Sequence, residues 1–197
     1  MRAGILNKLQ PKAGFTIGLW LFLVSFSAQS ALSRPVADDG KPTEVHVVAA
    51  VLDVDKINSA EQNFTLNLYF LFQWMDQGLA HAEPGVIVRE LDEVWNPRLT
   101  IVNTQRHWAN SKADVEISPQ GLVTYRLHVF GDFSQPMELH DFPQDSHVFE
   151  VSIVAAGYRP HEVVLVPDPR MDSFMAEKLS VADWEVDNMQ GMSREVT

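Results

Sequence analysis

The 197-residue chain contains no cysteine. That absence excludes disulfides, thiolate metal ligands and a cysteine nucleophile, and it leaves the redox state of the compartment unreported. Basic side chains are also scarce, 15 against 26 acidic ones, for a net charge of −11. Such a balance argues against nucleic acid and anionic lipid as partners and raises the local concentration of cations. No Gly-x-Ser-x-Gly elbow occurs. The seven histidines (His46, His81, His107, His128, His140, His147 and His161) contain no His-x-x-x-His pair and no metal-ligand cluster. The chain is therefore read as a non-enzyme without cofactor or metal.

What is present begins with a leader. Arg2, Lys8 and Lys12 precede an apolar run at residues 14–26, and Ala28-Gln29-Ser30 offers a small-x-small cleavage site before Ala31. The run falls short of the roughly 20 apolar residues of a spanning helix, so residues 1–30 read as a signal peptide, with an uncleaved anchor as the alternative. Either way the body is exported. The leader holds three of the basic and none of the acidic side chains, so 12 basic face 26 acidic residues in the remainder, a net −14. Residues 31–43 carry two prolines and a glycine and read as a linker.

From residue 44 the periodicity is that of strands. Strands are expected at residues 45–54, 64–74, 113–118, 122–130, 148–155 and 162–166, with another opened by Trp184. Residues 55–63 and 119–121 read as turns, and residues 170–178 as an irregular loop after Pro167-Asp168-Pro169. In the second strand Phe64, Leu66, Leu68, Phe70, Phe72 and Trp74 share one face, expected to be core. Thr65, Asn67, Tyr69, Leu71 and Gln73 share the other. No internal repeat appears.

Four separated motifs then agree. They are Trp74-Met75-Asp76, the Trp95-x-Pro97-x-Leu99 stretch ending at Asn103, Pro119-x-Gly121-x-Val123-x-Tyr125, and Phe142-Pro143-Gln144-Asp145. In this order and spacing they resemble the extracellular ligand-binding domain of the pentameric ligand-gated ion channels, the Cys-loop receptor family. The family's loop cysteines, with thirteen residues between them, fall on Gln135 and Phe149, as in its bacterial branch. The resemblance implies an all-β, immunoglobulin-like sandwich of nine to ten strands over residues 44–197. Trp74, Trp95 and Phe149 are expected to be largely buried. Only thirteen residues follow Trp184, so the last strand is expected to be missing and an edge left unfilled.

The resemblance also implies a site between subunits of a homopentamer. Counting from the motifs, the complementary wall falls on Tyr69, Glu116, Thr124 and Arg126, and the principal wall on Val102, Ala156 and Tyr158. The principal wall lacks the rings of a cage for quaternary amines, and Arg126 suggests a carboxylate-bearing ligand instead. For Arg126 a pairing with Glu116, and for Tyr69 plain packing, stand as alternatives. Protons are a second candidate signal, through His140 and His147. Asn58 and Glu61 in one turn, with Phe142, Pro143 and Asp145 in the loop, would face membrane helices outside this chain and pass on gating. The implied function is ligand sensing at the periplasmic or extracellular face of the bacterial inner membrane. The alternative is a soluble periplasmic binding protein on the same scaffold.

Overall fold

The computed structural model describes residues 32–36, 40–109, 111–137 and 146–194. Ten strands and two 3-10 turns make up the order, in two sheets of eight and two strands. The all-β sandwich expected from the sequence is what the chain adopts.

Its centre is β2 (Asn63–Met75), whose six even positions from Phe64 to Trp74 are all buried. Strict alternation makes that face the core because period two sends successive side chains to opposite sides. β2 pairs antiparallel with β7 (Leu122–Ser134) over thirteen consecutive positions, from Asn63 opposite Ser134 to Met75 opposite Leu122, with no register shift. On its other side β2 meets β1 (Thr43–Asn58), and that ladder carries two register shifts, at Leu52 and at Asp55. Each bulge inserts one unpaired residue and bends the strand.

The far edges of β7 and β1 are each covered in two pieces. β7 is met by β6 (Asp114–Ile117) near its start and by β5 (Thr104–Ala109) near its end; β3 (Ile87–Glu90) closes the sheet outside β6. β1 is met by the parallel strands β9 (Val163–Pro167) and β10 (Phe174–Met175). Between and beyond them Asp168 N–H donates to the Val47 carbonyl, Ala49 N–H to Ser173 Oγ, and Ser180 N–H to Asp53 Oδ1. The β1 edge is thus filled from residue 163 to 180.

The second sheet pairs β4 (Leu99–Ile101) with β8 (Ile153–Ala155) and packs on the core through Leu99, Ile101, Ile153 and Ala155. Trp74 and Trp95 meet edge to face at 5.9 Å in that core. Asp76 follows Trp74 onto the buried side. Its Oδ1 accepts from Gly78 N–H at 3.0 Å to cap the 3-10 turn Gln77–Leu79, and burial pushes its carboxyl above the ordinary value despite that bond.

Three expectations are corrected. Trp184 opens no strand: residues 181–194 are irregular, because no partner strand lies beside them among the described residues. The strand expected at residues 148–155 is regular only over Ile153–Ala155. Phe149, expected to be largely buried, is half-buried, resting on Phe64 at a ring distance of 4.9 Å. β5 was not expected at all; its Gln-Arg-His-Trp run is exposed and carries no alternation for a core to impose. Among the described residues β8 has β4 as its one partner strand. The Phe142-Pro143 loop lies outside them.

Candidate functional site

The face of the large sheet opposite the core is polar, and it is built by parity. The odd residues of β2 stand in register with the even residues of β7: Gln73 opposite Thr124, Leu71 opposite Arg126, Tyr69 opposite His128. Glu116 of β6 stands opposite Thr124. Tyr69, Glu116, Thr124 and Arg126 therefore share one surface. Arg126 Nη1 binds Glu116 Oε1 at 2.8 Å, with both side chains about two-fifths exposed. An ion pair this open is worth less than about 1 kcal/mol, so Glu116 holds the guanidinium without locking it. Gln73 Nε2 donates to Thr124 Oγ1 at 3.0 Å, and Tyr69 lies 6.4 Å from the His128 ring. His128 Nε2 contacts Asn67 Oδ1 at 2.7 Å.

A second guanidinium reaches the same surface from the turn after β9. Arg170 Nη2 donates to Gln73 Oε1 at 2.6 Å and to Asp168 Oδ2 at 2.7 Å, while its Nε and backbone N–H both donate to Asp168 Oδ1. These bonds hold the nearly buried Asp168 carboxyl down at about 2, against the upward push of burial. Asp168, Arg170, Gln73 and Thr124 form one bonded chain from the irregular loop to the centre of the face.

The other three predicted wall residues lie on the small sheet. Val102 N–H donates to the Ser152 carbonyl at one end of the β4–β8 pair, and Ala156 N–H donates to the Arg98 carbonyl at the other. Four residues of strand separate those rungs, about 13 Å at ~3.3 Å per residue. The structure does not bring Val102 and Ala156 together. Val102 is exposed and Tyr158 is half-buried. The Tyr158 hydroxyl accepts from Trp95 Nε1 at 2.8 Å, its ring 5.7 Å from the indole. That bond satisfies the N–H of a buried tryptophan, which is a structural duty.

At the opposite end of the sandwich, Asn58 Oδ1 accepts from Glu61 N–H at 3.2 Å, tying the β1–β2 turn. Gln135 N–H donates to the Gln62 carbonyl of the same turn. The Gln135 side chain then grips both neighbours of Phe149. Its Nε2 donates to the Val148 carbonyl at 2.6 Å and its Oε1 accepts from Glu150 N–H at 2.8 Å. Asn103 repeats the grip one step on, donating to the Glu150 carbonyl and accepting from Ser152 N–H. Two side-chain amides thus stand in for a partner strand along residues 148–152. Phe142, Pro143 and Asp145 lie outside the described residues.

Residues 25–196 match the profile of the neurotransmitter-gated ion-channel ligand binding domain. The chain belongs to this family. It is also similar to a proton-gated ion channel of Gloeobacter violaceus, 23% identical over 156 residues that cover 77% of this chain. The chain spans 44% of that relative's length. Seen as a neurotransmitter-gated-channel ligand-binding domain, the chain joins its two loop-cysteine positions by an amide fork, Gln135 gripping the backbone on either side of Phe149.

Sequence reasoning missed His128, Gln73 and Arg170. The first two carried a usable signal: Gln73 shares the parity of Tyr69 on β2, and His128 that of Thr124 and Arg126 on β7. Arg170 carried none, since its loop has no period. No helix of the described residues is long and apolar enough to cross a membrane.

Proposed function

We propose that this chain is the extracellular, ligand-sensing domain of a bacterial pentameric ion channel, exported to the periplasmic face of the inner membrane. The observation that carries the reading is the convergence of Tyr69, Glu116, Thr124 and Arg126, residues far apart in sequence, on one polar sheet face. That face is the complementary wall of a site completed by a neighbouring subunit. A small ligand bearing a carboxylate displaces Glu116 from Arg126, whose guanidinium presents two parallel donors. Binding shifts an existing equilibrium between closed and open arrangements. Asn58 and Glu61, with Phe142, Pro143 and Asp145, pass the shift to membrane helices supplied by the remainder of the channel.

The test is a thermal-shift screen of the full chain against small carboxylates and amines, with native mass spectrometry for assembly. Tyr69→Ala and Arg126→Ala should each shrink the ligand-induced shift without lowering the unliganded melting temperature. An undiminished shift in both variants returns the two residues to packing and surface pairing. A ligand-binding pentamer from a gene whose product has no membrane segments would instead make this a soluble binding protein.

A further inference from the structure

The sheet face that carries Tyr69 and Arg126 continues past them to an open pair of rings. Trp108 of β5 stands opposite Phe130 of β7, and the two rings stack at 6.0 Å and 29°. Phe130 has the parity of Thr124, Arg126 and His128, so the pair shares their surface. In the folded chain Trp108 is 57% and Phe130 39% exposed. At the other end of the same surface Met75, opposite Leu122, and Val88, opposite Glu116, are exposed as well. Apolar side chains thus flank the polar centre of the face on both sides.

The ladder does not need these rings. β5 is held to β7 by backbone pairing, and no strand lies on its outer side among the described residues. Edge strands are ordinarily blunted by charge, short length or proline rather than furnished with an open tryptophan. Exposed apolar side chains gathered on one surface mark a contact with another molecule. Trp108 and Phe130 already brace each other, so little side-chain freedom is left to lose when a partner covers them.

Charge selects the partner. The chain holds 26 acidic against 15 basic side chains. Along the outward face of β2, β5 and β7 that excess is gone: Arg106 and Arg126 stand there with Asp132, and Glu116, reaching Arg126 from β6, makes the sum even. Beside the rings Arg106 is 73% exposed and Asp132 only 17%, so an approaching surface meets the guanidinium first. Such a face is complementary to the acidic remainder of its own chain. Set against its own image it would bring like guanidinium groups together; set against a different, acidic surface of another copy it does not. A head-to-tail contact of that kind builds rings where its rotation closes.

We infer that the Trp108–Phe130 pair is the aromatic anchor by which this chain binds a second copy of itself, head to tail, beside the ligand wall. The inference deepens the proposed function and rests on it for the neighbouring subunit. Tyr69 and Arg126 meet the ligand; Trp108 and Phe130 hold the copy that completes the site.

Sedimentation velocity of the full chain over a concentration series tests the anchor. The unmodified chain should associate reversibly into a closed species larger than a dimer. Trp108→Ser and Phe130→Thr should each weaken association at least about tenfold, as the loss of a buried aromatic anchor does, at unchanged far-UV circular dichroism and melting temperature. Phe130→Thr keeps a strand-forming residue in β7 and carries the comparison if Trp108→Ser fails to fold. Met192→Ser, which removes an exposed apolar side chain from the irregular segment, should leave association as it was. Association unchanged in the folded ring variants, a species that stops at the dimer, or a chain that stays monomeric overturns the inference; in the last case the rings serve another partner. Ligand binding is read separately by thermal shift. The anchor can therefore hold while no small molecule binds, and fail while Tyr69→Ala and Arg126→Ala still shrink a ligand-induced shift.

Discussion

Replacing Gln135 by Ala removes both bonds of the fork, at 2.6 and 2.8 Å, and leaves Asn103, among the described residues, as the side-chain amide still bonded to the backbone of residues 148–152. A protein hydrogen bond nets about 0.5–1.5 kcal/mol, so the pair sets an upper range of about 1–3 kcal/mol. The gripped segment is largely exposed, and water replaces part of what is lost, so about 1–2 kcal/mol is expected. In denaturant titration the midpoint should fall with no change in slope, since the core is untouched. Amide exchange gives the sharper reading. The Glu150 N–H has Gln135 Oε1 as its acceptor, so its protection should drop by a factor of about 5–30. The Ser152 N–H, held by Asn103, should keep most of its own. If the Glu150 amide exchanges at an unchanged rate, the fork is not what holds this segment and the reasoning fails.

Three further outcomes are expected. Asp168→Asn tests a carboxyl whose folded value of about 2 lies below its ordinary 3.8, so its stabilisation is present above about pH 4 and is lost as pH falls through 2. The variant should be about 1–2 kcal/mol less stable at pH 7, a figure discounted for the exposure of Arg170, and should converge with the unmodified chain at the acid end of a stability–pH series. Tyr158→Phe leaves the N–H of buried Trp95 unpaired and should cost about 1–3 kcal/mol in a thermal melt; an unchanged melt would show that water reaches the indole. Gly121→Ala adds a Cβ only 2.3 Å from the Asp76 carbonyl at a φ of +85°, and should cost at least about 2 kcal/mol in the same assay.

The sequence carried the sandwich where alternation was strong and faltered where it was not. β2 was legible to the residue because every even side chain from Phe64 to Trp74 is large and apolar and every odd one but Leu71 is polar or amphipathic. β5 was invisible because an exposed edge strand needs no pattern, and its pairing to β7 is set by backbone geometry and by Gly131, where a Cβ would strike the Arg106 carbonyl. Residues 148–152 misled for the opposite reason. Their Val-Phe-Glu-Val-Ser alternation is that of a strand, yet their backbone is met by the amides of Gln135 and Asn103 instead of a ladder. At the candidate site, counting from motifs reached Tyr69, Thr124, Arg126 and Glu116 because β2, β6 and β7 run without insertion. The Arg126–Glu116 pair, held open as an alternative, is present; that Arg170 arrives from a loop was not foreseen, since partners across long sequence separation leave no local trace.

The contrast between the two ladders of β2 decides how the domain bears load. Thirteen consecutive rungs without a bulge make β2 and β7 a stiff two-stranded beam, about 40 Å long at ~3.3 Å per residue. A one-residue slip would turn every core side chain outward, so the beam cannot shear and moves only as a whole. On its other flank, the bulges at Leu52 and Asp55 give β1 two points of compliance. A push at Tyr69 or Arg126 therefore reaches the far end of the beam, where Gln62 and Gln135 meet, almost undiminished, while the strain it creates is absorbed sideways in β1.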